Sequence, residues 1–165
     1  MKRWIGLAAL VLIVGISFSG QEIVNIGPQK AFEMVKEPST FLIDVRSVAE
    51  YVLIGHPVMA LNIPLSFWSE TEATFVPNEN FVQDLKARFK AEDTILFICR
   101  SGGRSLRAAQ AAREAGFAKV FSLSEGFEGA ADDKGYRTIG GWKNSGLAYT
   151  FKSDPQLAYK PKTGK

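Results

Sequence analysis

The sequence predicts an α/β domain built on a central, mainly parallel sheet flanked by helices. Two observations predict it. Apolar runs of four or five residues, the length of buried strands, recur along the chain. Between them lie stretches whose apolar residues fall at helical spacing, and this alternation is the pattern of parallel sheets with helical crossovers. At 165 residues, 46% hydrophobic and 22% charged, the chain is long enough for one domain with a substantial core and short for two.

Residues 21–26 read as a short extended entry. In 28–37, Pro28 stands at a first helical position and Ala31, Met34 and Val35 follow at helical spacing, predicting a helix. Residues 41–45 (FLIDV) are an apolar run ending in an acid, as in a buried strand. Residues 47–52 predict a short helix, with Ser47 as N-cap and Glu50 at the capping-box position. Residues 60–65 form a further strand candidate ended by Pro64, followed by a segment rich in Ser, Thr, Glu and Pro that reads as loop. Residues 78–89 place Phe81, Val82, Leu85 and Phe89 on one helical face. Residues 94–98 (TILFI) are the most apolar strand, 104–116 a helix closed by Gly116, and 119–123 (KVFSL) another strand. The Gly-, Asp- and Asn-rich stretch beyond reads as irregular, and residues 152–165 as a flexible basic tail after a domain spanning 23–151.

Residues 1–19 are set apart. Lys2 and Arg3 precede an apolar run over 4–18, and Ser17 and Ser19 offer small residues two apart, the layout of a secretory signal. About fifteen apolar residues fall short of the roughly 20 a full span needs. Export, to a bacterial periplasm, is the expectation; the alternative is a membrane anchor formed by residues 4–18. The full chain has 20 basic and 17 acidic side chains, net +3. Lys2 and Arg3 leave with the signal and no acid does, so the remainder is close to neutral. With no aromatic interleaving among the basic residues, nucleic-acid binding is not indicated.

The chemistry concentrates in residues 99–105, CRSGGRS, which hold the only cysteine. Cys99 sits at the carboxyl end of a strand, where open α/β sheets bind ligands. Gly102 and Gly103 allow a sharp turn into the following helix, and such a turn aims backbone N–H groups inward as an anion cradle. Those dipoles, with Arg100 and Arg104, favour thiolate over thiol. A buried, inert cysteine is the competing reading. No His/Cys cluster has metal-ligand spacing and no nucleotide phosphate loop is present, so no cofactor is implied.

CRSGGRS after a buried strand resembles the active-site loop of rhodanese-type sulfurtransferases. In the same order, residues 43–51 (IDVRSVAEY) resemble that family's Asp-Val-Arg segment and its following Glu-Phe/Tyr. Residues 55–64 (GHPVMALNIP) resemble its Gly-His…Ala-x-Asn-Ile-Pro, residues 115–129 its last strand and Gly-rich turn, and Trp142, Gly146 and Leu147 its closing Trp…Gly-Leu. The chain departs in the rebuilt turn over 55–60 and in an extension over 127–141, a candidate cover for the site.

The resemblance implies a Cys99 nucleophile. Arg100, Ser101, Gly102, Gly103, Arg104 and Ser105 would hold a small anionic sulfur donor such as thiosulfate, and a thiol, cyanide or sulfur-acceptor protein would take the sulfur onward. Arg104 makes the loop Cys-x4-Arg, and Ser105 stands where a Cys-x5-Arg phosphatase has its arginine. A sulfur carrier without turnover, and a cysteine-dependent phosphatase or arsenate reductase, are the alternatives. Asp44 and Arg46 read as an ion pair bracing neighbouring loops, and His56, the only histidine, as structural rather than a general base.

Overall fold

The computed structural model describes residues 22–160. The segment read as signal or anchor lies outside the described residues, within which no helix is long and apolar enough to cross a membrane. Strands β1 (Val24–Ile26), β2 (Thr40–Asp44), β4 (Leu61–Asn62), β7 (Thr94–Ile98) and β8 (Lys119–Leu123) make a five-stranded sheet in the order β1-β8-β7-β2-β4. Every pairing in it is parallel. Helices α1 (Pro28–Met34), α2 (Val48–Leu53), α3 (Phe81–Arg88), α4 (Gly103–Glu114) and the short α5 (Gly141–Asn144) surround it.

The central strands read as unbroken apolar runs because both faces are covered. The pleat then sorts their residues by parity. Ile43, Ile95, Phe97 and Cys99 join one core cluster with Phe81 and Leu85 of α3 and Ala108, Ala109 and Ala112 of α4. Leu42, Leu96 and Ile98 join a second, with Ala31, Tyr51, Phe127 and Trp142. Cys99 thus falls on the α3/α4 side of the sheet by register alone. Small residues on the buried face of α4 let that helix lie close against β7 and β8.

Two helix ends follow their sequence signals in detail. Ser47 accepts the Glu50 N–H while the Glu50 carboxylate accepts the Ser47 N–H, a complete capping box. At the end of α4, Gly116 (φ +103°) lets its own N–H reach the Arg113 carbonyl and the Phe117 N–H reach that of Ala112. This is a Schellman closure, with Phe117 and Ala112 in the same core cluster.

Three regions differ from the sequence reading. The Ser/Thr/Glu/Pro segment is a β-hairpin of β5 (Ser66–Ser69) and β6 (Thr74–Pro77). It is held by a Trp68–Phe75 edge-to-face pair with centroids 5.4 Å apart and by Phe67 against Tyr159 at 5.6 Å. The Gly-rich stretch contains a second hairpin, β9 (Ala130–Ala131) with β10 (Arg137–Ile139). Asp132 ties its turn by accepting the Lys134 and Tyr136 N–H groups and the Thr138 hydroxyl.

The segment read as a flexible tail lies on the domain as far as Lys160. β11 (Tyr149–Thr150) pairs with β3 (His56–Pro57), and beyond it the Asn62 N–H donates to the Leu157 carbonyl. Tyr159 is buried and donates to Asp84 at 3.0 Å. Apolar anchoring by Tyr159 on Phe67 is what composition alone does not reveal.

Candidate active site

Cys99 closes the carboxyl end of β7 and is 2% exposed. The chain then turns over Arg100, Ser101 and Gly102 into α4. Gly102 makes the turn possible: its φ is +104°, and a side chain there would run into the Ser124 carbonyl. In return its N–H points back at the sulfur, donating to Cys99 Sγ at 3.1 Å. Gly103 is already helical and has open space around its Cα, so only one of the two glycines is demanded by the turn. Cys99, Arg100, Ser101, Gly103, Arg104 and Arg107 line a cavity of about 330 Å³.

Beneath the sulfur lies Ser105, fully buried. Its single proton serves the carbonyls of Gly102 at 2.6 Å and Leu123 at 3.1 Å. Its lone pairs receive the Ser122 hydroxyl at 3.2 Å and the Cys99 thiol at 3.6 Å. All the bonding capacity of that hydroxyl is used, which holds the floor of the loop to β8.

Behind the loop, Arg46 and Asp44 form a fully buried ion pair, closest at 2.6 Å, and Arg46 also donates to the Gly55 carbonyl at 2.7 Å. Burial opposes the guanidinium charge, but the Asp44 carboxylate outweighs it and holds the Arg46 pKa above its ordinary value. The guanidinium lies 4.5 Å from the Phe127 ring centre. Phe127 and Glu128 in turn donate their N–H groups to the carbonyls of Cys99 (2.7 Å) and Arg100 (3.0 Å). A chain of contacts therefore runs from the buried pair to the backbone of Cys99. Gly126 permits this approach, since a Cβ there would stand 2.6 Å from the Arg100 and Cys99 carbonyl oxygens.

A sequence match agrees with this architecture: residues 28–133 match the model of the rhodanese-like domain. The chain belongs to the rhodanese-like family. Among relatives of this rhodanese-like chain, an uncharacterized protein of Rickettsia rickettsii is 32% identical over 131 residues, 78% of this chain and 98% of the relative. Thiosulfate sulfurtransferase 18 of Arabidopsis thaliana is 27% identical over 114 residues, covering 69% and 82%. The crystal structure of Rv0390 from M. tuberculosis superposes with a TM-score of 0.70 at 32% identity, covering 80% of this chain and all of that one.

Within this rhodanese-like domain the expected site residues separate into four groups. Cys99, Arg100, Ser101, Gly103 and Arg104 face the cavity, and Gly102 supplies its N–H to the sulfur. Ser105, expected among the donor-binding residues, is instead wholly buried under the sulfur because its hydroxyl bridges α4 to β8. Asp44 and Arg46 form the buried ion pair behind the loop, from which Arg46 reaches the Gly55 carbonyl. His56 lines a different cavity with Val58, Tyr149 and Leu157. Its ring stacks on Tyr51 at 3.5 Å and its Nδ1 sits 2.9 Å from the Tyr51 carbonyl. Burial lowers its pKa, with the Tyr51 carbonyl opposing.

The charge balance of the rhodanese loop differs from the sequence expectation at Arg104. Its guanidinium makes a two-pronged bond to Glu50 at 2.6 and 2.7 Å. Burial works against ionisation of Glu50, but the Arg104 bonds and charge, with the Ser47 contacts, bring its pKa down to about 2. Glu50 is thus both helix cap and counter-ion, and the Arg104 charge is compensated. Arg100 and Arg107 are exposed and, among the described residues, carry no acidic partner. The 127–141 extension lines none of the cavity and serves it through the Phe127 and Glu128 backbone. Phe75 of the unanticipated hairpin lies 5.6 Å from the Arg104 guanidinium.

Proposed function

We propose that this sulfurtransferase-family protein moves sulfane sulfur through a Cys99 persulfide, from an anionic donor such as thiosulfate to a thiophilic acceptor. The observation that carries the reading is Cys99 Sγ held by the Gly102 N–H inside a small cavity bordered by Arg100 and Arg107, two cations with no acidic partner among the described residues. In the first step the Cys99 thiolate attacks the outer sulfur of thiosulfate. The S–S bond of the donor breaks, and sulfite leaves with its electron pair. Arg100 and Arg107 favour the anionic donor and the departing sulfite, while Arg104, held by Glu50, keeps the start of α4 in place. In the second step an acceptor thiolate or cyanide attacks the outer sulfur of the persulfide, and the Cys99 thiolate leaves. The Arabidopsis relative named a thiosulfate sulfurtransferase supports this choice of donor. The basic start and apolar run over residues 1–19 support export, with anchoring by residues 4–18 as the other outcome.

The test is intact-mass measurement after thiosulfate exposure, paired with a thiosulfate:cyanide assay. Wild type should gain one sulfur atom and produce thiocyanate, and Cys99→Ser should do neither. Thiocyanate production unchanged in Cys99→Ser would refute the nucleophile. Sulfur loading without turnover would replace the enzyme with a carrier. Aryl-phosphate hydrolysis dependent on Cys99 would overturn the chemistry altogether.

A further inference from the structure

Beside the Cys99 cavity lies a second and larger one, about 480 Å³, between the β5–β6 hairpin, α3 and α4. Its walls include Leu65, Phe75, Phe81, Val82 and Ala111, and its charged members are Arg107 and Glu79. Two features join it to the site. Arg107 lines both cavities, and Phe75, a wall of the larger, carries the Arg104 guanidinium that lines the smaller. Along α4, Arg104, Arg107 and Ala111 fall three and four residues apart, on one helical face leading from the nucleophile loop to the cleft. Thiosulfate has no apolar part to place there. A volume within the ~300–1,000 Å³ range of small-molecule sites, mostly apolar walls and one cation with no acidic partner among the described residues suit an organic molecule with an apolar body and a single negative charge. Glu79, the other charged residue of the walls, repels that charge and leaves Arg107 as the group to hold it.

We propose that this cleft seats the sulfur acceptor, a small organic thiol with an apolar body and one carboxylate. The proposal rests on the sulfur-transfer reading above. Its carboxylate pairs with Arg107, its apolar group lies between Phe75 and Val82, and its thiolate enters the Cys99 cavity. There the thiolate attacks the outer, protonated sulfur of the Cys99 persulfide. A new S–S bond forms on the acceptor, the S–S bond to Cys99 breaks, and the electron pair returns to Cys99 Sγ as thiolate. The product is the acceptor hydropersulfide, and no outside oxidant or reductant enters.

A matched pair of α-mercapto acids tests this. Protein loaded with thiosulfate is discharged with mercaptoacetate or with 2-mercapto-3-phenylpropanoate, which differ by a benzyl group, and loss of the extra sulfur is followed by mass. The phenyl compound should react at least ~10-fold faster, the discrimination expected from burying such a group. Val82→Trp, which fills the cleft, should bring the ratio towards one. Arg107→Gln should reduce the advantage of the phenyl acid over 2-phenylethanethiol, which lacks the carboxylate.

Thiol-free 3-phenylpropanoate supplies a readout independent of sulfur chemistry. It should shift the amide NMR signals of Val82 and Ala111 in wild type. Equal discharge rates in wild type with loading intact would overturn the proposal while leaving sulfur transfer standing. Failure to load while 3-phenylpropanoate still binds would refute sulfur transfer, and with it the acceptor role of the cleft. Concentration-dependent dimerisation abolished by Val82→Trp would assign the cleft to a second copy and overturn the proposal.

Discussion

Gly102 and Gly103 are adjacent and chemically identical, yet alanine at the two positions should act in opposite directions. At Gly102, φ is +104° and ψ −33°, where an L side chain is strained, and the added carbon would meet the Ser124 backbone carbonyl. The dihedral strain alone costs about 1–3 kcal/mol. Forcing a methyl into packed backbone adds about 1–3 kcal/mol. Relaxation must move the turn, so the two contributions share one displacement, and a total of about 2–4 kcal/mol is expected. The displacement also draws the Gly102 N–H away from Cys99 Sγ, now 3.1 Å distant. A misplacement of about 1 Å at such a group can lower the loading rate ~100-fold.

At Gly103 nothing lies within 4 Å of the added carbon and the backbone is helical. Gly103→Ala should therefore be neutral or stabilising by about 0.4–1 kcal/mol, through the entropy of the unfolded chain. Urea denaturation of both variants, with persulfide loading followed by mass, decides the matter. Equal destabilisation by the two substitutions, or Gly102→Ala within about 0.5 kcal/mol of wild type, would refute the reasoning.

The Glu50–Arg104 pair carries a pH signature. The Glu50 pKa is about 2 against an ordinary 4.5, so its stabilisation is complete above the ordinary value and is lost as pH falls through about 2. Because the pair is partly solvated, Glu50→Gln should cost about 1–2 kcal/mol at neutral pH and flatten the acid limb of a Tm-against-pH profile. A limb unchanged by the substitution would contradict the assignment. Ser105→Ala removes the donor to two carbonyls and the acceptor of the Ser122 and Cys99 protons. It should lower stability by about 1–3 kcal/mol in urea denaturation. It should also slow sulfur loading, by loosening the floor under Cys99; loading at the wild-type rate would limit Ser105 to a structural role.

Features governed by near neighbours were legible from residue order. The Ser47/Glu50 capping box and the Gly116 closure of α4 act within a few residues, and β2, β7 and β8 announce themselves because burial on both faces demands continuous apolar runs. The Cys99 loop was legible for a related reason: strand, cysteine, glycines and helix are consecutive, so the candidate site is largely local. What escaped depends on distant partners. The β5–β6 hairpin looked polar because its stability comes from the cross-strand Trp68–Phe75 pair and from Tyr159, far along the chain. The extension over 127–141 was recognised as an addition, but not that its first residues donate to the Cys99 and Arg100 carbonyls.

The sequence by itself determined the α/β class, the family resemblance, the place of Cys99 at a strand end and the glycine-dependent turn into α4. These follow from periodicity, capping and backbone sterics, which act over short stretches of chain. Only the tertiary structure decided which charges at the mouth remain available. Arg104 is neutralised by Glu50, 54 residues earlier, Ser105 is drawn beneath the sulfur by β8, and Arg107 stands between two cavities. An ion pair or a cavity wall is settled by which side chains meet in space, and local spacing carries no record of that meeting.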